Sequence, residues 1–333
     1  MAVYTQLGAE ALAGLIDHFD VGALVSAKGI AEGVSNSNWL IETSGAPGGH
    51  THQRFILTVY EARTEVADLP FFLGLLDHLA AKACPVPRTI HDRGGKASRM
   101  VAGADGAAKP AALIEFLPGV SVSEPTPAQA RAVGEALARV HLAAANFTGT
   151  RTNSLGLAQW GELLRACAAD GLAAIHPELG ILVEREMTVL ERHWPTDLPQ
   201  GVIHADLFPD NVLMLGDAVS GLIDFYFACC DIIAYDVAVT HAAWCFSPDG
   251  MRYDAEISEA LLAGYSALRP LSASERAALP ILARGAAMRF LATRAYDWLN
   301  TPADALVTRK DPMAFARRLE FYANPDNASI FAA

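Results

Sequence analysis

The amino-acid sequence predicts an α+β protein with a β-rich first third and a mainly α-helical remainder. Short apolar runs separated by glycine or polar turns dominate the chain before residue 120, which is the pattern of β-strands. Apolar residues then recur at helical spacing over much of 126–300. Two short strand candidates, 211–215 and 221–225, interrupt this helical part.

The elements follow from local signals. The first long helix after the opening strands is predicted at 67–87, with Asp68 as its cap and Pro70 in its first turn. In the second part, Thr126 is expected to cap the first helix. The other predicted elements are strands at 23–34, 38–43, 54–61, 97–103 and 110–119, and a long late helix at 279–300.

The chain of 333 residues is long enough for two compact parts, each with its own core. Apolar residues make up 52% and charged residues 19%, which is typical of globular rather than disordered proteins. The change from strand-like to helical spacing of apolar residues predicts a β-rich lobe at 1–113, a connector at 114–119 and an α-rich lobe at 120–333.

Composition argues against a membrane location, an oxidising compartment and a nucleic-acid partner. No apolar run reaches the roughly 18 uncharged residues of a membrane helix, and the start of the chain has the pattern of an amphipathic helix, not of a signal peptide. The five cysteines are odd in number and lack a CxxC spacing, which favours a reducing cytoplasm. A net charge of −12 without a basic run argues against nucleic acid as a partner. The sequence leaves the oligomeric state open.

Segment 202–227, VIHADLFPDNVLMLGDAVSGLIDFYF, holds four polar residues where an apolar strand pattern does not require them. They are His204, Asp206, Asn211 and Asp224. Each alone has a structural explanation, since a histidine can be satisfied in a core and Asp and Asn favour turns. The four together, at this spacing, point to chemistry.

Strands 211–215 and 221–225, joined by a turn at 216–220, predict a hairpin. A turn centred between the two strands sets Asn211 opposite Asp224. An amide oxygen and a carboxylate side by side suit Mg²⁺, which fills its remaining positions with water and substrate phosphate. We therefore expect Asn211 and Asp224 to be metal ligands.

Asp206 lies five residues before Asn211, on the loop that enters the hairpin. A carboxylate there is close to the metal without being an obvious ligand, and it can accept the proton of an attacking hydroxyl group. His204, preceded by apolar residues, is better placed to brace this loop than to react.

This pattern resembles the catalytic segment of protein kinases and of the aminoglycoside phosphotransferase-like kinases, which carry H-x-D, an Asn five residues later and a metal-binding Asp. The resemblance implies a protein-kinase-like two-lobe fold, ATP and Mg²⁺ as cofactors, and catalytic roles for His204, Asp206, Asn211 and Asp224. It also implies that segment 29–38 covers the phosphates, with Gly33, Ser35 and Asn36 near them. The same serine and asparagine residues also suit an ordinary turn.

The resemblance further implies that the connector holds adenine through the backbone from Glu115 to Leu117. One departure concerns the strand that usually carries a phosphate-binding lysine, because Thr58 stands at that place in FILTVYE. Neutralisation of the phosphates is therefore an open question. The nearby cations are Lys28, Arg54 and Arg63.

A closer resemblance, over roughly residues 1–322, is to bacterial homoserine kinases of the aminoglycoside phosphotransferase-like type. Segments that carry it include FILTVYE, GVIHADLFPDNVL, GLIDFYFACCD and KDPMAF. The resemblance implies the transfer of phosphate from ATP to L-homoserine, a step of threonine biosynthesis, and makes Thr58 a family trait.

The ammonium and carboxylate of such a substrate need partners in the α-rich lobe. RFLATRAYDWLN offers Arg289, Arg294, Tyr296 and Asp297 on one helix. An arginine would bind the carboxylate bidentately, but Arg294 and Asp297, three residues apart, can also pair with each other. Asp236 is expected to brace the catalytic loop.

Three other functions compete with this prediction. A kinase of the same fold could act on choline, methylthioribose, a sugar or an aminoglycoside. A metal-dependent phosphohydrolase could use His204, Asp206 and Asp224 as ligands, although it has no need of Asn211. A non-catalytic nucleotide-binding module would explain the missing lysine but not the intact catalytic segment.

Overall fold

The computed structural model describes residues 5–30, 36–45, 52–61, 65–103, 106–301 and 309–331. The chain divides into two compact units, Met1–Pro118 and Gly119–Ala333. The division falls within the predicted connector, although the last strand of the first unit continues through Glu115. No helix in these described ranges is both long and apolar enough to cross a membrane.

The first unit is built on an antiparallel sheet of six strands in the order β1-β2-β3-β6-β4, with β5 also paired to β6. Two helices accompany it. Asp68 occupies the predicted N-cap position of the second helix, although its side chain makes no capping hydrogen bond there. The elements are α1 (Ala9–Ile16), β1 (Leu24–Ile30), β2 (Ser37–Thr43), β3 (Gln53–Val59), α2 (Leu69–Ala81), β4 (Thr89–Ile90), β5 (Arg99–Ala102) and β6 (Ala108–Glu115).

Alternation along β2 and β3 gives this sheet one fully buried face. Trp39 pairs with Leu57, and Ile41 pairs with Phe55, so these side chains lie on the same side of the sheet. They form one core cluster with the apolar face of α1. The polar residues that alternate with them lie on the other face, which is the face that carries Thr58.

The second unit is mainly helical and contains two small antiparallel pairs, β7 with β10 and β8 with β9. Its elements are α3 (Pro127–Ala144), α4 (Leu157–Ile175), α5 (Leu179–His193), β7 (Gln200–Ile203), β8 (Val212–Leu215), β9 (Ala218–Leu222), β10 (Cys229–Ile232), α6 (Ile233–Trp244), α7 (Ala255–Leu268), α8 (Ala273–Asn300) and α9 (Met313–Ala323).

Capping explains where two of these helices begin. Thr126 caps α3 in a reciprocal capping box with Gln129, which confirms the predicted start of that helix. Helix α8 begins six residues before the predicted 279, because Ser272 and Glu275 form a second capping box. Pro280 lies inside the first turns of this helix and masks its start in the sequence.

Candidate active site

The loop after β7 carries the first two candidate residues on an unusual backbone. Ala205 adopts a left-handed conformation with φ +64°, which an alanine rarely takes. The buried carboxylate of Asp236 accepts the backbone N–H groups of His204 and Ala205 at 2.7 Å each. Asp236 on α6 thus holds the loop in this conformation, as expected of a bracing residue.

A second layer of hydrogen bonds fixes Asp236 itself. His141 Nε2 lies 3.0 Å from the Asp236 carboxylate, and His141 Nδ1 lies 2.8 Å from the hydroxyl group of Tyr265. All three side chains are buried. Burial by itself raises the pKa of Asp236, but the hydrogen bond and charge of His141 outweigh it and hold that pKa below its ordinary value.

His204 is buried with 1% of its surface exposed, and both ring nitrogens have partners. Nδ1 accepts the backbone N–H of Asp206 at 3.2 Å, so Nε2 carries the proton and donates to the carbonyl oxygen of Ile223 at 3.0 Å. Burial lowers the pKa of the ring. The ring therefore joins the loop to the hairpin and has no nitrogen left for a substrate or a metal.

Asp206 is half-buried and reaches the hairpin through Asn211. Asn211 Nδ2 donates to the backbone carbonyl of Asp206 at 2.8 Å and to its carboxylate at 3.3 Å. Burial raises the pKa of Asp206, against the lowering effect of the positive charges of Arg289 and Lys310. A carboxylate with a raised pKa is suited to accept a proton.

The hairpin register differs from the predicted one. The turn contains only Gly216 and Asp217, and an irregularity between Leu213 and Met214 shifts the pairing by one residue. Asn211 therefore lies opposite Ile223, whose N–H donates to the Asn211 carbonyl at 3.0 Å, and the predicted direct pairing with Asp224 is wrong.

Asp224 instead leaves the strand in a left-handed conformation, with φ +64° and ψ +54°, and begins a short 3-10 helix at Phe225–Phe227. This break matters because a continued strand would alternate sides, so that Asp224 would point away from the face of Asn211. The ring of Phe225 packs 4.4 Å from the ring of His204. The segment after Asp224 is thereby attached to the catalytic loop.

Three carboxylates in this region interact electrostatically. Loss of hydration, then the negative charges of Asp206 and Asp210, raise the pKa of Asp224 to about 7. Asp224 is nevertheless exposed, so the repulsion between carboxylates is the cause that persists in water. A cation bound among them would relieve this repulsion.

The donor set fits Mg²⁺. Asn211 uses its amide nitrogen within the loop, which leaves its oxygen for a ligand, and Asp224 adds an exposed carboxylate. Mg²⁺ takes one or two such oxygens and completes its octahedron with water and phosphate. No group of three His, Cys, Asp or Glu side chains able to hold a metal exists within the described residues.

Arg289, a candidate substrate residue, lies in the interior with 2% of its surface exposed. Its Nη1 donates to the carbonyl oxygen of Ala205, and its guanidinium packs on the rings of Phe227 and Phe290 at 5.4 and 4.6 Å. This position is inconsistent with the predicted contact to substrate. Arg289 binds a backbone carbonyl group of this loop, and Asp236 binds two backbone N–H groups of the same loop.

Arg294 lies one turn further along α8 and does not form the alternative ion pair with Asp297 in the described part of the chain. Its Nη1 donates to the carbonyl of Asp311 at 3.2 Å, and its guanidinium lies 4.5 Å from the ring centre of Phe315. Burial and the neighbouring Arg318 lower its pKa to about 10, against the attraction of Asp311 and Asp206. Arg294 is therefore a partly dehydrated cation that is attracted by the charge of Asp206.

Tyr296 and Asp297 are exposed near the end of α8. Among the described residues, neither makes a hydrogen bond or ion pair with the catalytic segment. Of the four candidate substrate residues, Arg294 has a half-buried side chain and an electrostatic attraction to Asp206.

Lys310 is a residue that sequence reasoning missed. Its Nζ lies 3.6 Å from a carboxylate oxygen of Asp210 and 5.8 Å from the ring centre of Phe208. Both of these residues lie between Asp206 and Asn211. The segment KDPMAF carried the only sequence signal, and it gave no role to the lysine.

Two of the candidate nucleotide-binding residues, Gly33 and Ser35, fall outside the described residues. The others lie in the described part of the first unit. Asn36 is buried and accepts the N–H of Glu61 at 3.2 Å. Thr58 is buried and donates to Asn38 at 2.9 Å. Both contacts join the start of β2 to the end of β3, next to the predicted phosphate segment.

At the end of β6, the backbone N–H of Glu115 donates to the carbonyl of Arg88 at 2.9 Å, and the Glu115 carboxylate pairs with the Arg88 guanidinium. That N–H is therefore not available to adenine. Leu117, two residues further on, is half-buried and lies outside the strand.

The sheet register bears on the missing lysine. Lys28 pairs with Leu40, and Asn38 pairs with Thr58, so Lys28 lies on the same face of the sheet as Thr58. Lys109 lies on the opposite face, where it pairs with Glu61 at 2.6 Å. The first unit thus offers an exposed lysine, but not a close replacement, on the face that carries Thr58.

Comparison with known proteins places these features in a family. A model of the phosphotransferase enzyme family, APH, matches residues 26–271. The homoserine kinase of Azorhizobium caulinodans is 50% identical over 97% of this chain and 96% of its own length. The homoserine kinase of Xanthobacter autotrophicus is 49% identical over 99% of each chain.

Solved structures share the fold at low identity. An amicoumacin kinase in complex with AMP-PNP, Ca²⁺ and its ligand has a TM-score of 0.71 at 15% identity and covers 95% of this chain and 94% of its own. A microcompartment-associated aminopropanol kinase has a TM-score of 0.67 at 20% identity, with 97% and 100% covered. The predicted kinase-like fold is confirmed. The chain belongs to the phosphotransferase enzyme family, together with the homoserine kinases that it matches along nearly their whole length.

Proposed function

We propose that this protein transfers the γ-phosphoryl group of ATP to the hydroxyl group of L-homoserine, with O-phospho-L-homoserine and ADP as products. The observation that carries the proposal is the identity of about half of all positions to curated homoserine kinases over nearly the full chain. Such a reaction belongs to threonine biosynthesis. The described cysteines are all free thiols, which agrees with a reducing cytoplasm.

Asp206 is the proposed base. The hydroxyl oxygen of the acceptor attacks the γ-phosphorus, its proton passes to the Asp206 carboxylate, and the bond to the bridging oxygen breaks to release ADP. The raised pKa of Asp206 makes the carboxylate a better proton acceptor than an ordinary aspartate. Asn211 orients this carboxylate through its amide nitrogen.

Asn211 and Asp224 are the proposed ligands of Mg²⁺, which when bound neutralises the phosphate oxygens. The exposed carboxylate and the amide oxygen supply two of the positions that such an ion uses. His204, Asp236 and Arg289 do not touch reacting atoms in this proposal. They hold the loop that carries Asp206, and hydrogen bonds reach both its backbone N–H groups and its backbone carbonyl.

Arg294 is the proposed partner of the substrate carboxylate. Its guanidinium is partly dehydrated and donates to one backbone carbonyl, and the negative charge of Asp206 raises its pKa against the effect of burial. An arginine fork binds a carboxylate with two parallel hydrogen bonds and so fixes the orientation of the substrate. The amino group of the substrate has the nearby carboxylates as candidate partners.

The experiment that tests this proposal measures ADP release with ATP and Mg²⁺, with and without L-homoserine, for the native protein and for Asp206→Asn. We expect release that depends on homoserine and that falls by about three orders of magnitude or more in the variant. Release with choline or a sugar but not with homoserine would keep the chemistry and overturn the substrate. An Asp206→Asn protein with native turnover would overturn the base.

A further inference from the structure

Lys310 lies close to the candidate catalytic segment and has no role in the mechanism proposed above. It lies in the stretch before α9, where its Nζ is 3.6 Å from a carboxylate oxygen of Asp210, 100 positions earlier in the chain. Its ammonium also lies 5.8 Å from the ring centre of Phe208. Phe208 follows the base by two residues, and its N–H donates to the Asp206 carbonyl at 2.8 Å.

The residues on either side of Lys310 hold its backbone in place. Arg309 donates to the carbonyl of Trp298 at 3.0 Å and packs on that indole ring. The Asp311 carbonyl accepts a hydrogen bond from Arg294, and the Asp311 carboxylate accepts the N–H of Met313 at 2.8 Å. Lys310 is thus anchored on both sides, and its side chain extends toward the catalytic loop.

The surroundings of this ammonium group are acidic. Asp210 immediately precedes Asn211, whose amide nitrogen donates to the carboxylate of Asp206 at 3.3 Å. Asn211 and Asp206 are a proposed metal ligand and the proposed base, so they mark where the γ-phosphoryl group must be. Lys310 therefore lies beside the loop that carries the proposed base.

The pair between Lys310 and Asp210 is weak enough to exchange. Its two side chains are 60% and 64% exposed, and an ion pair in water contributes little to stability. A phosphoryl group carries more negative charge than one carboxylate, so the ammonium gains by turning to it. Kinases depend on such cations, because their catalysis is mostly positioning and charge stabilisation.

We propose that Lys310 is a catalytic residue whose ammonium group binds a non-bridging oxygen of the transferring γ-phosphoryl group. In that step the acceptor oxygen forms its bond to phosphorus, its proton goes to Asp206, and the bridging oxygen leaves with ADP, while Lys310 keeps its proton throughout. The proposal rests on the proposed kinase function.

The test compares Lys310→Met with Lys96→Met, a matched control that removes an exposed lysine of the first unit. For each protein, kcat and the KM for ATP are measured, and the Kd for L-homoserine is measured by calorimetry in the presence of ADP and Mg²⁺. We expect kcat of Lys310→Met to fall roughly 100-fold with the Kd for homoserine unchanged. Lys310→Arg should recover part of the loss, and Lys96→Met should stay near native kcat.

Two outcomes would overturn the proposal while the native protein remains a homoserine kinase. A kcat of Lys310→Met within about threefold of native would show that the ammonium does not act on the reacting group. A weaker Kd for homoserine with kcat retained would show that Lys310 binds the substrate carboxylate. Absence of homoserine-dependent ADP release in the native protein would instead overturn the proposed function, and with it this role.

Discussion

Asp236 Oδ1 accepts the backbone N–H of Ala205 at 2.7 Å, in the interior of the second unit. Oδ2 accepts the N–H of His204 and contacts His141 Nε2. One carboxylate thus satisfies two consecutive N–H groups of a loop whose middle residue has a positive φ. A loop with this conformation needs such support, because a left-handed alanine is disfavoured on its own.

The first prediction concerns Asp236→Asn. An amide can accept only through its oxygen, so at least one buried donor loses its partner, and the variant should lose about 2–4 kcal/mol of unfolding free energy. We expect kcat to fall as well, because the loop carries Asp206. Urea denaturation and turnover below the unfolding transition measure the two effects.

The control for this change is Asp170→Asn, an exposed position on α4. It should stay within about 0.5 kcal/mol of native stability. If Asp236→Asn were as stable and as active as the control, the carboxylate would not be what holds the loop.

The second prediction concerns the metal. Asp224→Asn removes the exposed carboxylate and keeps its volume, so we expect a fall in kcat of about 100-fold or more and a higher Mg²⁺ concentration for half-maximal rate. A chelator should abolish native turnover, and added Mg²⁺ should restore it. A titration of turnover against free Mg²⁺ measures this.

Asp217→Asn, in the exposed hairpin turn, is the matched control and should titrate like the native protein. An unchanged Mg²⁺ requirement in Asp224→Asn would remove Asp224 from the metal site.

The candidate catalytic segment could be predicted because His204, Asp206, Asn211 and Asp224 all lie within 202–227. Their spacing alone matches the pattern of kinase catalytic segments. The register within the segment could not be predicted. The pairing shifts by one residue between Leu213 and Met214, and the alternation of apolar residues in the two strands did not indicate this irregularity.

The residues that surround this segment come from far along the chain. Arg289 binds the carbonyl of Ala205 across 84 positions, and Lys310 reaches Asp210 from beyond the end of α8. Sequence spacing carries no information on such contacts, since only the packing of α8 and α9 creates them. The helical pattern of 279–300 predicted the element and gave no means to separate the buried Arg289 from the more accessible Arg294.

The third prediction concerns Arg294. Replacement by Gln removes the charge and the planar fork, so the KM for L-homoserine should rise about 10- to 100-fold, or about 1.4–2.8 kcal/mol. We expect a smaller effect on kcat, and a partial recovery of affinity in Arg294→Lys, because an ammonium retains the charge but not the bidentate geometry. Initial rates over a range of homoserine concentrations measure both constants.

Arg276→Gln, several turns earlier on α8, is the control and should leave the KM for homoserine unchanged. A native KM in Arg294→Gln would show that another group holds the substrate carboxylate.

The last prediction concerns pH and a histidine outside the site. His241 is fully buried, with Nδ1 at 2.7 Å from the Tyr322 hydroxyl and Nε2 at 2.8 Å from the Ser258 hydroxyl. Burial lowers its pKa from 6.5 to about 3. Between these values the unfolded chain binds a proton that the folded protein does not, so stability is lost as the pH falls through 6.5 toward 3.

His241→Gln removes this titration and two buried hydrogen bonds, so the variant is less stable at pH 7. The difference in unfolding free energy between native protein and variant should then shrink by about 2 kcal/mol between pH 7 and pH 5, at about 1.4 kcal/mol per pH unit below 6.5. Urea denaturation at several pH values measures it. His193→Gln, at an exposed position, should keep a constant difference from native, and the same constancy in His241→Gln would mean that the buried imidazole accepts its proton without unfolding.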